Sequence, residues 1–475
     1  MARLQPSRSG SPTIRHSIHG LALLLATAVG APVRAAPKDG QEAPAPHLRE
    51  AAGGKPDGGA PEHTDTVSDP GAGSDVSLGG ILAFADEHSP VLAVARSTRS
   101  RAEAARAAAL PLLPSNPELT VGLGPRLALG GTGVDVDVSL MQQIQIGGER
   151  GLRLDAADRL RLLTDAEIEQ IRWLVHCDVH AAFHRALIEQ DRVRLAERVV
   201  AFQEGVLRVV EQQISAGETA PLTLRLAQAE VAQARQVLVA ARQALLASRI
   251  RLAQLSGWPV TPPPMPGGTV DAPREPPTNG QLLEAAHEHL PSLRAAIARL
   301  REAEARVSLA DREGWPRPSL GVQYRREGNP TSEGASNIVM GVVSLPIPSF
   351  QTNQGERARV RSEVTVAEAE LSAARRLLEG QIAELRSEVV ASAQRTRAYG
   401  TEILPRFEEN LTLLRRSFEL GEIDILALST GRERFLRIQS DALGAQLDYF
   451  IALAGLERVV GVDLWHDDHH QESNP

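Results

Sequence analysis

The chain has 475 residues, a net charge of −8 and only 3% aromatic residues. The acidic balance gives no electrostatic basis for binding nucleic acid. Scarce aromatics beside long stretches of Ala, Leu, Arg, Glu and Gln favour extended helices packed through small side chains over a compact enzyme core. Cys177 is the only cysteine, so an internal disulfide and a cysteine-based zinc cluster are both excluded.

Residues 1–35 read as a secretory signal. Arg3, Arg8 and Arg15 precede a short apolar run from Leu21 to Val29, and Val33 and Ala35 supply small residues for cleavage. No cysteine follows the run, which excludes a lipoprotein anchor there. Residues 36–76 are rich in Pro, Gly, Ala and acidic groups and read as a disordered leader. Beyond them no apolar run reaches about 18 residues, so any membrane insertion has to use strands.

The rest of the chain repeats itself with a period of roughly 200 residues. Residues 77–257 and 279–465 form two structural repeats, joined by a proline-rich linker at 258–278 and followed by a His/Asp-rich tail at 466–475. Pro117-Glu-Leu-Thr-Val-Gly-Leu-Gly124 recurs as Pro318-Ser-Leu-Gly-Val-Gln-Tyr-Arg325, and Gly217-Glu218 recurs as Gly421-Glu422. Each repeat opens with a helix, over 78–110 and 279–313, with Asn279 as a candidate cap for the second. Each helix ends at prolines, Pro111 and Pro114 or Pro316 and Pro318.

Two strands follow in each repeat, over 118–124 and 134–146, then 319–325 and 337–345. In Val134-Asp-Val-Asp-Val-Ser-Leu140 apolar and polar residues alternate strictly, which places Asp135, Asp137 and Ser139 on one wet face. Helical hairpins occupy about 150–256 and 354–461. The long arm of each runs some 65 residues, about 100 Å at 1.5 Å per residue, interrupted only by Pro405 in the second. Glycine turns at Gly217 and Gly421 end them.

Four strands cannot close a barrel alone, and an open edge in lipid leaves backbone groups unsatisfied at several kcal/mol each. Three copies would pool twelve strands, an even number within the range of outer-membrane barrels. The fold expected is therefore mainly α with a small β part: a trimeric 12-stranded transmembrane β-barrel continued by a periplasmic α-helical barrel.

This duplicated strand–strand–hairpin plan resembles the TolC-like outer-membrane efflux protein family, over about residues 78–465. Asn116-Pro-Glu-Leu119, Gln143-Ile-Gln-Ile-Gly-Gly-Glu-Arg150, Val343-Ser-Leu-Pro-Ile-Pro348 and Gln354-Gly-Glu-Arg-Ala358 are most similar to its heavy-metal, CzcC-like branch. The resemblance implies a homotrimer in the outer membrane, extending into the periplasm. It would be the passive exit duct of a tripartite pump, with a periplasmic adaptor and an inner-membrane pump of the RND type, exporting substrates that include heavy-metal cations. The alternatives are an outer-membrane channel for protein or peptide secretion and a soluble periplasmic coiled-coil scaffold.

By the same resemblance the hairpin tips, with Gly217, Glu218, Gly421 and Glu422, meet the adaptor; the plainer reading is that the glycines only cap helices. Where some relatives carry acidic gate residues, this chain has Ala427 and Thr430. Glu422 and Asp424 are candidates for a carboxylate ring nearer the opening, with surface helix-end carboxylates as the alternative.

His176, His180 and His184 are spaced four apart on one helix face, a spacing at which neighbours chelate a metal; an interfacial histidine stripe is the competing reading. His466, His469 and His470 in the tail are a second metal candidate or a solvated terminus. No cofactor motif, phosphate-binding loop or nucleophile elbow is present, and the chain does not read as an enzyme.

Overall fold

A computed structural model of the chain describes residues 75–128, 131–217, 220–328 and 336–464. All belong to one of the chain's two units, Ser68–Pro475. The expected signal, most of the leader and the His-rich tail lie outside the described residues.

The structure is mostly helical with one small principal sheet. After a two-residue strand β1 (Asp75–Val76), the first repeat runs α1 (Leu78–His88), α2 (Pro90–Ser97), α3 (Arg99–Ala109), β2 (Glu118–Ala128), β3 (Gly131–Gln143), α4 (Glu149–Ser215) and α5 (Pro221–Ser256). A second two-residue strand, β4 (Met265–Pro266), lies in the proline-rich stretch. The second repeat runs α6 (Asn279–His289), α7 (Pro291–Glu313), β5 (Ser319–Glu327), β6 (Ser336–Ser344), α8 (Gln354–Ala398), a π-turn at Tyr399–Ile403, α9 (Leu404–Glu419) and α10 (Ile425–Val460).

The helices expected over 78–110 and 279–313 are each broken. Ser89 and Leu290 take extended ψ values of 125° and 113°, ahead of Pro90 and Pro291 at the first helical position. The proline ring disfavours the α conformation in the residue before it, so the chain bends and restarts there. The cap of α6 is Thr278 rather than Asn279. Its backbone N–H donates to the Gln281 side chain at 3.1 Å, completing a capping box.

The long helices differ in one respect. α4 runs for 67 residues without interruption. Its counterpart is α8 and α9 joined through the π-turn, just ahead of Pro405. Proline has no N–H and clashes with the preceding turn; a widened turn absorbs both defects without ending the helix.

The proline-rich stretch is held by arginines. Prolines lack donors but keep their carbonyls, and these accept from Arg249 (to Pro264, 2.9 Å), Arg386 (to Pro277, 2.6 Å) and Arg397 (to Pro273, 3.1 Å). β1 pairs in parallel with β4, and Gly267 N–H donates to the Val76 carbonyl at 2.9 Å. Asp75 and Val76, expected in the leader, are thus paired residues.

The principal core gathers where the short helices of each repeat meet the hairpins. Leu282, Ala286 and Leu293 of α6 and α7 pack with Leu378 and Ile382 of α8 and Leu453 and Leu456 of α10. Ile81 and Ala85 of α1 pack with Val179 and Phe183 of α4 and Leu252 of α5. The return helices end in matching left-handed glycines, Gly257 (φ 80°) and Gly461 (φ 84°). A Cβ on Gly257 would lie 2.0 Å from the His88 carbonyl oxygen, and one on Gly461 would lie 2.6 Å from Leu290 Cα. Both repeats therefore close by seating a helix-ending glycine on the proline break between two short helices.

Gly257→Ala and Gly461→Ala are each expected to lower the thermal unfolding midpoint. The left-handed backbone alone costs about 1–2 kcal/mol in a non-glycine residue, before the clash is counted. Circular dichroism melts of the purified protein check this, and an unchanged midpoint in both variants would contradict the packing.

Candidate functional site

The principal sheet is antiparallel throughout, in the order β2-β3-β5-β6. Its central pairing, β3 with β5, joins the two repeats, matching Leu140 with Val322 and Val138 with Tyr324. β3 begins at Gly131 and ends at Gln143, three residues short of the 146 expected. There the chain turns toward α4, and Ile144 N–H donates to the Pro318 carbonyl at 2.8 Å.

Strand alternation divides this sheet into two unlike faces. One carries Leu119, Val121, Leu123 and Leu127 of β2, Val134 and Leu140 of β3, Leu320 and Val322 of β5, and Val339 and Val343 of β6. All of these are exposed in the single chain, Leu123 at 72% and Val343 at 72%. The opposite face carries Arg126, Asp135, Asp137, Gln323, Arg325 and Glu327. Arg126 pairs with Asp135 at 3.1 Å and with Glu327 at 3.2 Å. Asp137 accepts from Arg325 at 3.0 Å and from Gln323 at 2.7 Å. Asp135 also accepts from Gly328 N–H at 2.9 Å. The alternation in 134–140 foresaw Asp135 and Asp137 on the wet side, but not their basic partners, which come from other strands.

A large, exposed, apolar face is a contact surface. The sheet is open at β2 and at β6, so its edge backbone groups need strands from elsewhere if this face meets lipid. Among the described residues no helix is long and apolar enough to cross a membrane.

At the far end of the hairpins, Gly217 (φ 75°) and Gly421 (φ 77°) end α4 and α9 in the left-handed conformation. Around Gly421 the bonds form a helix-ending motif: Gly421 N–H to Phe418 carbonyl at 3.0 Å and Glu422 N–H to Ser417 carbonyl at 2.9 Å. A Cβ at either glycine would meet nothing within 4 Å, so conformation rather than crowding calls for glycine there. Leu420 and Leu426 flank the second tip at 67% and 68% exposure. Glu218 lies outside the described residues. Asp424 caps α10, its Oδ1 accepting from Ala427 N–H at 2.8 Å. Ala427 and Thr430 offer no carboxylate, and Thr430 bonds back to the Leu426 carbonyl.

Between the tips and the mid-helix core, Arg432 is a buried cation. Its guanidinium lies 3.9 Å from the centre of the Phe202 ring and donates to the Val199 carbonyl at 3.0 Å. Burial pulls its pKa down to about 10. It ties α10 across to α4 by cation–π attraction.

The three α4 histidines have different surroundings. His176 Nε2 bonds Asp463 Oδ1 at 2.8 Å, and His180 Nδ1 bonds Glu457 Oε2 at 3.0 Å. His184 instead stacks on Phe450 with ring centres 4.0 Å apart and donates from Nδ1 to the His180 carbonyl at 3.1 Å. Burial, then the neighbouring His180, push the His184 pKa down to about 3, so it is a neutral core ring at physiological pH. Cys177 is buried and its thiol is raised by desolvation, which leaves it unreactive. Glu457 and Asp463 were not foreseen as partners, because they lie 277 and 287 residues from the histidines they meet. His466, His469 and His470 lie outside the described residues.

Known proteins share this architecture. The sequence model of the family described as "Outer membrane efflux protein" matches residues 85–258 and 282–462. The chain is 24% identical over 318 residues to the cobalt-zinc-cadmium resistance protein CzcC of Cupriavidus metallidurans, covering 67% of this chain and 75% of that protein. It is 24% identical over 406 residues to the pyoverdine export outer membrane protein OpmQ of Pseudomonas putida, covering 80% and 84%. The solved Campylobacter jejuni CmeC outer membrane channel superposes with a TM-score of 0.66 at 12% identity, covering 81% of this chain and 85% of that one.

The two faces of the sheet should respond oppositely to mutation. Leu123→Arg, on the apolar face, is expected to cost about 2–4 kcal/mol in a bilayer and to deplete the protein from outer-membrane fractions. Arg325→Lys, on the charged face, keeps a cation beside Asp137 and should leave membrane yield unchanged. Equal loss in both variants, measured by fractionation and immunoblot, would mean that the apolar face does not meet lipid.

Proposed function

The chain belongs to the outer membrane efflux protein family, and from that premise we propose that it is the exit duct of a tripartite pump for heavy-metal cations, assembled as a homotrimer. It is an outer-membrane efflux channel that extends into the periplasm, a transport protein and not an enzyme. The observation that carries the trimeric reading is the four-stranded sheet, apolar on one face, charged on the other and open at β2 and β6. Three such sheets joined edge to edge give a twelve-stranded barrel, with the apolar faces toward lipid and the ion pairs toward water.

The same geometry supports roles for the other parts. A helix of 67 residues, at 1.5 Å per residue, carries the lumen about 100 Å from the membrane. The exposed Leu420 and Leu426 beside Gly421 suit docking of an adaptor's helices at the tips. The energy then comes from an inner-membrane pump, of the RND type by the family resemblance. Likeness to the cobalt-zinc-cadmium resistance protein supports a metal cargo, while likeness to the pyoverdine exporter supports a second reading, a small organic substrate.

Expression in a metal-sensitive strain that keeps a metal-type adaptor and pump but lacks its own duct separates these readings. Restored growth in Co2+, Zn2+ and Cd2+ is the expected result, from a protein that runs as a trimer in unheated gels and as a monomer after boiling. Trimer without metal resistance would favour the organic substrate. Replacing Gly217 and Gly421 together by Arg should abolish resistance while leaving the trimer intact; full resistance in that variant would remove the tips from adaptor docking.

A further inference from the structure

Where α10 ends, it crosses the middle of α4, and several metal-ligating groups meet there. His176 and His180 stand one helical turn apart on α4. Glu457 lies in the last turn of α10, and Asp463 follows Gly461, whose left-handed backbone turns the chain out of the helix. One ligand atom each from His180, Glu457 and Asp463 lie within 4.8 Å of one another. Around Zn2+ or Co2+, with bonds of 2.0–2.2 Å, tetrahedral ligand atoms stand roughly 3.3–3.6 Å apart. Small side-chain rotations, on the order of 1 Å, therefore bring these three into a coordination shell.

The surroundings fit a cation better than a plain polar contact. Glu457 is fully buried and His180 is 7% exposed. A carboxylate at that depth is costly unless positive charge faces it. Arg458, the next residue on α10, pairs with Asp178, and the group that bonds Glu457 from α4 is the His180 imidazole. As a ligand set, two carboxylates and an imidazole together present two negative charges, which a divalent ion balances. Outer contacts already hold the carboxylates in place. His176 Nε2 bonds Asp463 Oδ1 at 2.8 Å, and Leu464 N–H donates to Glu457 Oε1 at 3.1 Å. Such outer partners orient ligands in metal sites. Asp463 is only half-buried, which gives an ion a route in from solvent. One imidazole and two carboxylates, without thiolate, favour Zn2+ or Co2+ over Cu+.

We propose that His180, Glu457 and Asp463 bind a single divalent transition-metal ion, Zn2+ or Co2+, as a resident clasp that fastens the end of the second repeat to the middle of the first hairpin. The clasp is separate from the exported cargo and stands whatever the duct carries.

Co2+ titration of the purified full chain in detergent tests the proposal, because Co2+ bound in four- or five-coordinate geometry absorbs strongly in the visible. The expected result is a band that saturates at one ion per chain and is displaced by Zn2+. It should persist when His466, His469 and His470 are all replaced by Ala. It should weaken at least 10-fold in apparent affinity in His180→Gln and in Asp463→Asn. Asp463 is half-buried, so its variant keeps the fold, which circular dichroism verifies. Zn2+ should also raise the unfolding midpoint of the native protein and not that of Asp463→Asn. Absence of the band from the native chain, its persistence in both ligand variants, or its disappearance with the tail histidines alone would each overturn the proposal.

Discussion

The backbone of a strand at the edge of a sheet must find hydrogen-bond partners, and in hydrocarbon no water supplies them. Much of this molecule's architecture follows from that requirement. Among the described residues the principal sheet comprises β2, β3, β5 and β6, with β2 and β6 at its edges and one face apolar and exposed. In the proposed trimer, closure comes from copies of the same chain, and their helices ring the same axis. The narrow buried stripe on α8, with Val360, Ala367, Leu371 and Leu378, fits that setting. It covers one side of the helix and leaves the rest to solvent or to neighbours.

Duplication makes the arrangement economical. Both repeats fold by the same local devices: a proline break between short helices, a hairpin tip ending in left-handed glycine, and a second glycine seated on the break. The repeats are not copies in chemistry. Only the second long helix contains a π-turn, and only the first carries the histidine series. The two carboxylates that meet those histidines come from the end of the second repeat. Paired but unequal halves thus place groups together that neither half holds alone.

The plan of the fold was legible because it rests on short-range rules. Alternation in Val134–Leu140 marks a two-faced strand, and glycines at 217 and 421 mark the turns of two long hairpins. The breaks at Ser89 and Leu290 were hidden by alanine-rich surroundings, although Pro90 and Pro291 signal them. The strand pairs at 75–76 and 265–266 are too short to leave a periodic signature. The histidine environment was out of reach for a different reason. Spacing alone grouped His184 with His176 and His180, whereas stacking on Phe450 sets it apart from them. Glu457 and Asp463 join the others only through tertiary packing.

α9 is the least anchored of the long-helix segments. Among its described residues none is buried within the chain itself, and the π-turn separates it from the well-packed α8. Substitutions there leave the core of the protomer untouched, so they are filtered by neighbouring molecules and hardly at all by folding. In the proposed assembly a lineage can therefore retune its coupling by drifting along this one segment, while the sheet and the core between the short helices and the hairpins stay unchanged. Adaptability is then confined to the tip end of the hairpins, where the proposed adaptor docks.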